Sequence, residues 1–133
     1  MKHYTTTHNP FLRKHVQTLT FILLVSFTMG QTQLGSDIDG EAAGDYSGCS
    51  VSISSDGSKV AIGANQNDGN GSMAGHVRIY EYSDGSWTQL GNEMYSYTSF
   101  ESFGSAVSMN SDGYRVAIGA AGSSTGYVQV YEY

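Results

Sequence analysis

The stretch "SDGSKVAIGA" at residues 55–64 returns as "SDGYRVAIGA" at residues 111–120, with eight of ten letters unchanged. Near-identical segments within one chain adopt the same local structure and bury the same face, so the fold must be built from repeated units. The same offset of 56 sets "TQLG" at residues 32–35 on "TQLG" at residues 88–91, Gly48 on Gly104, and Val51 and Ser52 on Val107 and Ser108. Beyond Ala64 the offset falls to 51, with "HVRIYEY" at residues 76–82 answering "YVQVYEY" at residues 127–133. The lost residues separate "NQNDGNGSMAG" from "AGSSTG". Length differences of this kind collect in loops, because a strand cannot absorb one residue without turning its side chains to the other face.

Within each unit the aliphatic residues alternate, as in Val51 and Ile53, Val60 and Ile62, and Val77 and Ile79. Alternation with a period of two predicts strands. Asp56 and Gly57 supply a tight hairpin turn between the first two, and the "SDG" at residues 83–85 turns the chain into a fourth strand, "SWTQLG". Each unit is therefore expected to be a four-stranded antiparallel meander. Opposite the aliphatics stand Ser50, Ser52, Ser54, Ala61 and Gly63, small and uncharged where a sheet with one wet face would carry charge. A small face and a branched face suit sheets stacked on like sheets, the large face of one filling against the small face of the next. The predicted fold class is all-β, about two four-stranded blades of a β-propeller, an incomplete ring or a fragment of one. A stacked solenoid and a plain sandwich explain a four-strand period less simply.

The first thirty residues belong to another physical regime. Arg13, Lys14 and His15 precede the apolar run "LTFILLVSFTMG", the pattern of a secretory signal cleaved near Gly30. Its apolar core of roughly a dozen residues is shorter than the ~20 needed to span a bilayer as a helix. The expected organisation is a signal peptide at residues 1–30 and repeats at residues 31–133. Blade one covers about 48–90, and blade two covers about 104–133, completed by a strand at 31–35. Cleavage removes Lys2, Arg13 and Lys14 but no acidic residue, so the formal net charge of −6 becomes still more negative. Only Lys59, Arg78 and Arg115 are left as fixed cations, which argues against nucleic acid as a partner and against anionic membrane surfaces. The expected location is secreted or at the cell surface, with no membrane insertion after cleavage.

At "SFGSAVSMNSDGYRVAIGAA" the chain resembles the FG-GAP repeat of β-propellers, including those of integrin α-chain heads. Phe103 and Gly104 match the FG, and Gly119 and Ala120 match the start of the GAP. The first copy has Ser47 and Gly48 in place of the FG, and Asn65 or Ala121 stands where the proline would be. With "WTQLG" and "GHVRIYEY", residues 31–133 resemble repeat proteins secreted by marine bacteria and some algae. The resemblance implies a non-catalytic module, and in many such repeats a calcium loop between the first two strands. Here that position holds "SSDGSK" and "NSDGYR", tight turns too short to wrap the roughly 6 to 8 oxygens that calcium takes. The loop "NQNDGNGS" spaces Asp68, Asn70 and Ser72 alternately but lacks a closing carboxylate, and reads as an Asn/Gly turn. No cofactor is expected.

The residues able to carry chemistry are few. Outside the signal the one histidine is His76, at a strand start and replaced by Tyr127 in the second copy, which reads as structural. Cys49 cannot form an internal disulfide, and with Ser105 as its counterpart it reads as a small packing residue. The acidic run Asp37, Asp39, Glu41 and Asp45 could furnish paired carboxylates for glycoside hydrolysis, but it reads as a solvated inter-blade loop. In the second unit "DIDGEAAGDYSG" gives way to "EMYSYTSFESFG". That places Tyr95, Tyr97 and Phe100 in the loop 94–103 as candidate ligand-binding residues, since exposed aromatics offer stacking faces. Phe103, in the FG position, is expected to pack.

These readings point to a secreted non-catalytic repeat module for binding or adhesion, with a glycan or an extracellular protein as partner. The alternatives are the accessory propeller portion of a polysaccharide-degrading enzyme and a structural fragment of a longer repeat protein. Propellers close with about four to eight blades, so a two-blade chain is expected either to form a head-to-tail homo-oligomeric ring or to belong to a longer array.

Overall fold

The computed structural model describes residues 30–122 and 125–133. The signal segment expected at residues 1–30 lies outside the described residues but for Gly30. The chain divides into two units, Met1–Thr32 and Gln33–Tyr133; of the first, residues 30–32 are described and carry no strand. No helix among the described residues is long and apolar enough to cross a membrane.

The second unit is all-β. Strands β1 (Ser47–Ile53), β2 (Lys59–Ala64), β3 (His76–Ser83) and β4 (Ser86–Gln89) form one antiparallel meander in sequence order, and the short β5 (Met94–Tyr95) pairs with the start of β3. Strands β6 (Phe103–Met109), β7 (Arg115–Ala120) and β8 (Tyr127–Glu132) form the second sheet. The two sheets repeat one another in register: Val51 pairs with Ile62 as Val107 pairs with Ile118, and Ile53 with Val60 as Met109 with Val116. The turn between β3 and β4 has Asp84 at φ 50° and Gly85 at φ 84°, the two successive positive angles of a type I′ hairpin, which Asp-Gly adopts readily. In the β1–β2 hairpin the Asp56 carboxylate accepts hydrogen bonds from Ser54 Oγ at 2.7 Å and from Ser58 N at 2.9 Å. Those bonds, the Ser54 hydroxyl first, hold its pKa down at about 2.

The FG position explains how each unit begins. Both β1 and β6 carry a bulge, between Ser47 and Ser50 in one and between Phe103 and Ala106 in the other. Gly48 and Gly104 sit in these bulges at φ 89° and 85°, where a side chain would be strained. The residue after each glycine then turns back on its own hairpin: Cys49 Sγ faces Gly63 O at 3.4 Å, and Ser105 Oγ donates to Gly119 O at 3.1 Å. Cysteine and serine thus make the same contact in the two units.

The sheets stack as the alternation predicts. Phe103, Val116, Ile118 and Ala120 of the second sheet are buried against Ala61, Val77 and Ile79 of the first, with Val107, Met109 and Tyr131 packed at the margin. The first sheet's small residues let the backbones approach. Ser50 Oγ donates to Gly104 O at 2.6 Å, Met109 N donates to Ser52 Oγ at 2.9 Å, and a Cβ on Gly63 would fall 2.2 Å from Gly104 O. The branched face of the first sheet is exposed along β1, with Val51 63% and Ile53 58% exposed, though Ile62 on β2 is buried; the opposite face of the second sheet is exposed along β8, with Val128 and Val130 each 68% exposed.

Within this chain the second sheet has three strands, and no strand is assigned at residues 31–35, the segment expected to complete it by exchange between subunits. Within one chain that segment turns to the first sheet instead: Trp87 Nε1, at the β3–β4 hairpin, donates to Leu34 O at 2.8 Å. Nor is the acidic run uniformly solvated. Asp45 is buried, because Asn67 Nδ2 donates to its Oδ2 at 2.7 Å and Gln66 N donates to its carbonyl.

Candidate functional site

The aromatic loop between the sheets is held by its backbone and presents its side chains. Phe100 N donates to Ser72 O at 2.7 Å, Ser102 N to Met73 O at 3.1 Å and Phe103 N to Ala74 O at 2.9 Å, so the loop runs along the 71–75 segment like a third wall. Phe100 and Ser102 have φ of 64° and 52°, a conformation that costs a non-glycine residue about 1 kcal/mol or more and persists only where neighbours impose it. Tyr97 is 81% and Phe100 59% exposed, whereas Phe103, three residues further, is fully buried. Tyr95 and Tyr97 meet edge to face with centroids 4.9 Å apart, their hydroxyls 3.3 Å from one another. That hydrogen bond, before the charge of the neighbouring phenol, raises the Tyr95 pKa above the ordinary tyrosine value. The structure thus brings Tyr95 and Tyr97 together, with Phe100 on the same anchored loop.

Next to this loop lies a group that the linear sequence does not connect. Pairing of β5 with β3 sets Tyr95 opposite His76 and Met94 opposite Val77, and so delivers Glu93 to the start of β3. From the other side, Glu41 arrives on the 37–46 segment, which Arg78 Nη2 pins by donating to Asp39 O at 2.8 Å. Asn67 Nδ2, already bound to Asp45, lies 3.3 Å from Glu41 Oε2. Ligand atoms of Glu41, His76 and Glu93 all fall within 4.8 Å of one another. Glu41 Oε2 is 3.8 Å from His76 Nδ1, and its other oxygen is 3.9 Å from Arg78 Nη1. Burial pushes the His76 pKa below the ordinary value and outweighs the attraction of Glu41. Burial, then a hydrogen bond to Glu41, pushes Glu93 above the ordinary carboxylate range. In the sequence His76 reads as an isolated strand-end residue. The signal that sets it apart is its departure from the repeat, since His76 and Arg78 answer to Tyr127 and Gln129.

Asp68 Oδ1 accepts from Met73 N at 2.7 Å, so the "NQNDGNGS" loop spends a carboxylate oxygen on its own turn. Asp37 and Asp39 line a cavity of about 370 Å³ with Tyr80, Ser86 and Trp87.

Two stacked, register-matched antiparallel sheets with a bulge glycine at the head of each, and a held loop between them, define a β-propeller-type repeat protein. Residues 37–80, from the acidic segment into β3, match the family model of the FG-GAP repeat. The matched unit is the one that reads Ser47–Gly48 at the FG position, which places the family signal in the whole hairpin pattern rather than in those two letters. No curated protein and no solved structure matches the chain.

Proposed function

We propose that this chain is a secreted, non-catalytic binding or adhesion module that takes a glycan on the loop bearing Tyr95, Tyr97 and Phe100. The observation that carries the reading is the exposure of Tyr97 and Phe100 on a loop whose backbone is fixed. Apolar groups left uncovered on a held loop are disposed for a ligand rather than for the core, and phenol rings rimmed by hydroxyls suit the mixed apolar and polar face of a sugar. The acidic net charge favours a neutral glycan over a polyanion. In affinity electrophoresis through gels cast with a neutral soluble polysaccharide, the chain is expected to be retarded. Tyr97→Ala is expected to weaken that binding roughly five- to tenfold, since one aromatic face contributes on the order of 1 kcal/mol, with the melting temperature unchanged. Retardation that survives the substitution excludes this loop. Binding confined to an extracellular protein ligand would move the partner class to protein.

The same reading includes assembly. The branched face of Val51 and Ile53 and the small-residue face of Ala106, Ser108, Ala117 and Gly119 are repeats of the two faces already joined inside the chain. A second copy stacked head to tail would cover both, and rings arise when such a heterologous contact closes. Light scattering after size exclusion is expected to give a discrete dimer or trimer; a monomer at all concentrations tested rules out the ring.

A further inference from the structure

We propose that Glu41, His76 and Glu93 form a binding site for a divalent transition ion of the zinc type. Three separate segments, the 37–46 loop, the first residue of β3 and the residue before β5, converge to bring these ligand atoms within 4.8 Å of one another. Convergence of two carboxylates is by itself a common surface event. The histidine makes it more than that. His76 is 2% exposed, and its Nδ1 lies 3.8 Å from Glu41 Oε2, so a buried imidazole nitrogen faces the carboxylate pair. A buried imidazole among two carboxylates adds a nitrogen donor that a surface cluster of acids lacks, and a nitrogen with two oxygens is the donor set of a transition ion.

A tetrahedral zinc ion with bonds of about 2.0–2.1 Å sets its ligands about 3.3 Å apart, so the three side chains need close by no more than roughly 1.5 Å. The donor set selects among ions. One imidazole nitrogen with two carboxylates suits zinc and its neighbours, whereas calcium and magnesium take oxygen alone. Three protein ligands leave a fourth position for water or a ligand atom. The second sphere is in place as well: Asn67 Nδ2 lies 3.3 Å from Glu41 Oε2, and Arg78 Nη1 3.9 Å from Oε1, contacts that orient the carboxylate. The site belongs to the first unit alone, since the position of His76 is taken by Tyr127 in the second and that of Glu41 by Tyr97. It is also separate from the β1–β2 turn, where Asp56 is occupied by Ser54 and Ser58.

The test is isothermal titration of the full chain with zinc chloride, with calcium chloride as comparator. It is run on the unaltered protein, on Glu93→Gln and on His76→Gln, with circular dichroism as the check on folding. Glu93 is only half-buried and glutamine keeps its shape, so this variant remains informative if His76→Gln fails to fold. The expected result is a saturable zinc site of one ion per chain that calcium does not fill, weakened at least about tenfold by Glu93→Gln, with cobalt giving the visible absorption of a tetrahedral site. Zinc binding that Glu93→Gln leaves unchanged would place the ion elsewhere, at Cys49 or at His3, His8 and His15, and overturn the proposal. So would the absence of a saturable zinc site, or equal binding of calcium.

Discussion

Phe103→Ala is expected to lower the folding free energy by about 3–5 kcal/mol, the cost of emptying a large aromatic site that surrounding backbone cannot fill. Phe103 is fully buried at the joint of the two sheets and is flanked by Tyr127 and Tyr131 at centroid distances of 6.5 and 6.4 Å, the second ring edge-on. Its backbone N–H, donated to Ala74 O at 2.9 Å, fixes the ring between the loop of one unit and the sheet of the other. Domains of this size are stable by only about 5–15 kcal/mol, so the variant should lie near or past its unfolding midpoint at ambient temperature. Trp87, the chain's single tryptophan, reports urea unfolding of the first sheet by fluorescence. A midpoint shift equivalent to less than about 1 kcal/mol would mean that Phe103 does not hold the joint, since even the removal of a few buried methylenes exceeds that.

Gly104→Ala should be comparably damaging, and a comparison inside the same chain separates the causes. Gly104 has φ 85°, and a Cβ there would lie 2.6 Å from His76 O, 2.9 Å from Val77 Cγ2 and 3.3 Å from Gly63 Cα. Two of these atoms are backbone of the facing sheet, so relief requires the sheets to part. Gly48, its counterpart in the first unit, has φ 89°, and a Cβ there would meet no atom within 4 Å beyond its chain neighbours. Both substitutions carry the left-handed penalty of about 1–2 kcal/mol. Only Gly104→Ala adds the loss of sheet contact, so it should destabilise by about 2 kcal/mol or more beyond Gly48→Ala, in the range of other overpacking changes. Urea denaturation of the two variants in parallel decides this, and equal losses would mean that the sheets do not meet at Gly104. In the head-to-tail ring Gly48 would occupy the same joint toward a second copy. Gly48→Ala is then expected to leave the monomer folded while blocking association.

The two glycines show why identical sequence positions need not have identical weight. Each is required by its bulge, and the local geometry is written in the chain. Whether a side chain there also meets another sheet depends on which faces are covered, and no second sheet lies over β1 of the first unit on the face where Val51 and Ile53 are exposed.

The aromatic loop makes the same point. Tyr97, Phe100 and Phe103 lie within seven residues and are chemically alike, yet two are exposed and one is buried completely. The bulge at Gly104 and the backbone bonds to residues 72–74 determine which way each points. The repeat predicts burial of Phe103 through its place at the head of a strand, and assigns Tyr95 and Tyr97 only to a divergent loop.

By itself, the sequence determined what depends on neighbours along the chain: strands from two-residue alternation, hairpins from Asp-Gly turns, the unit boundary from the 56-residue offset, and the stacking of a small face on a large one from Ala61 and Gly63 opposite Val107 and Ile118. Tertiary structure decided what depends on segments distant in sequence. Glu41, His76 and Glu93 share no period and no motif, and they meet because β5 pairs back onto β3 while Arg78 and Asn67 hold the 37–46 segment over the same point. Periodicity records which face a residue occupies; it carries no record of which distant loop is laid across that face, because that is fixed by hydrogen bonds between backbones far apart in the chain.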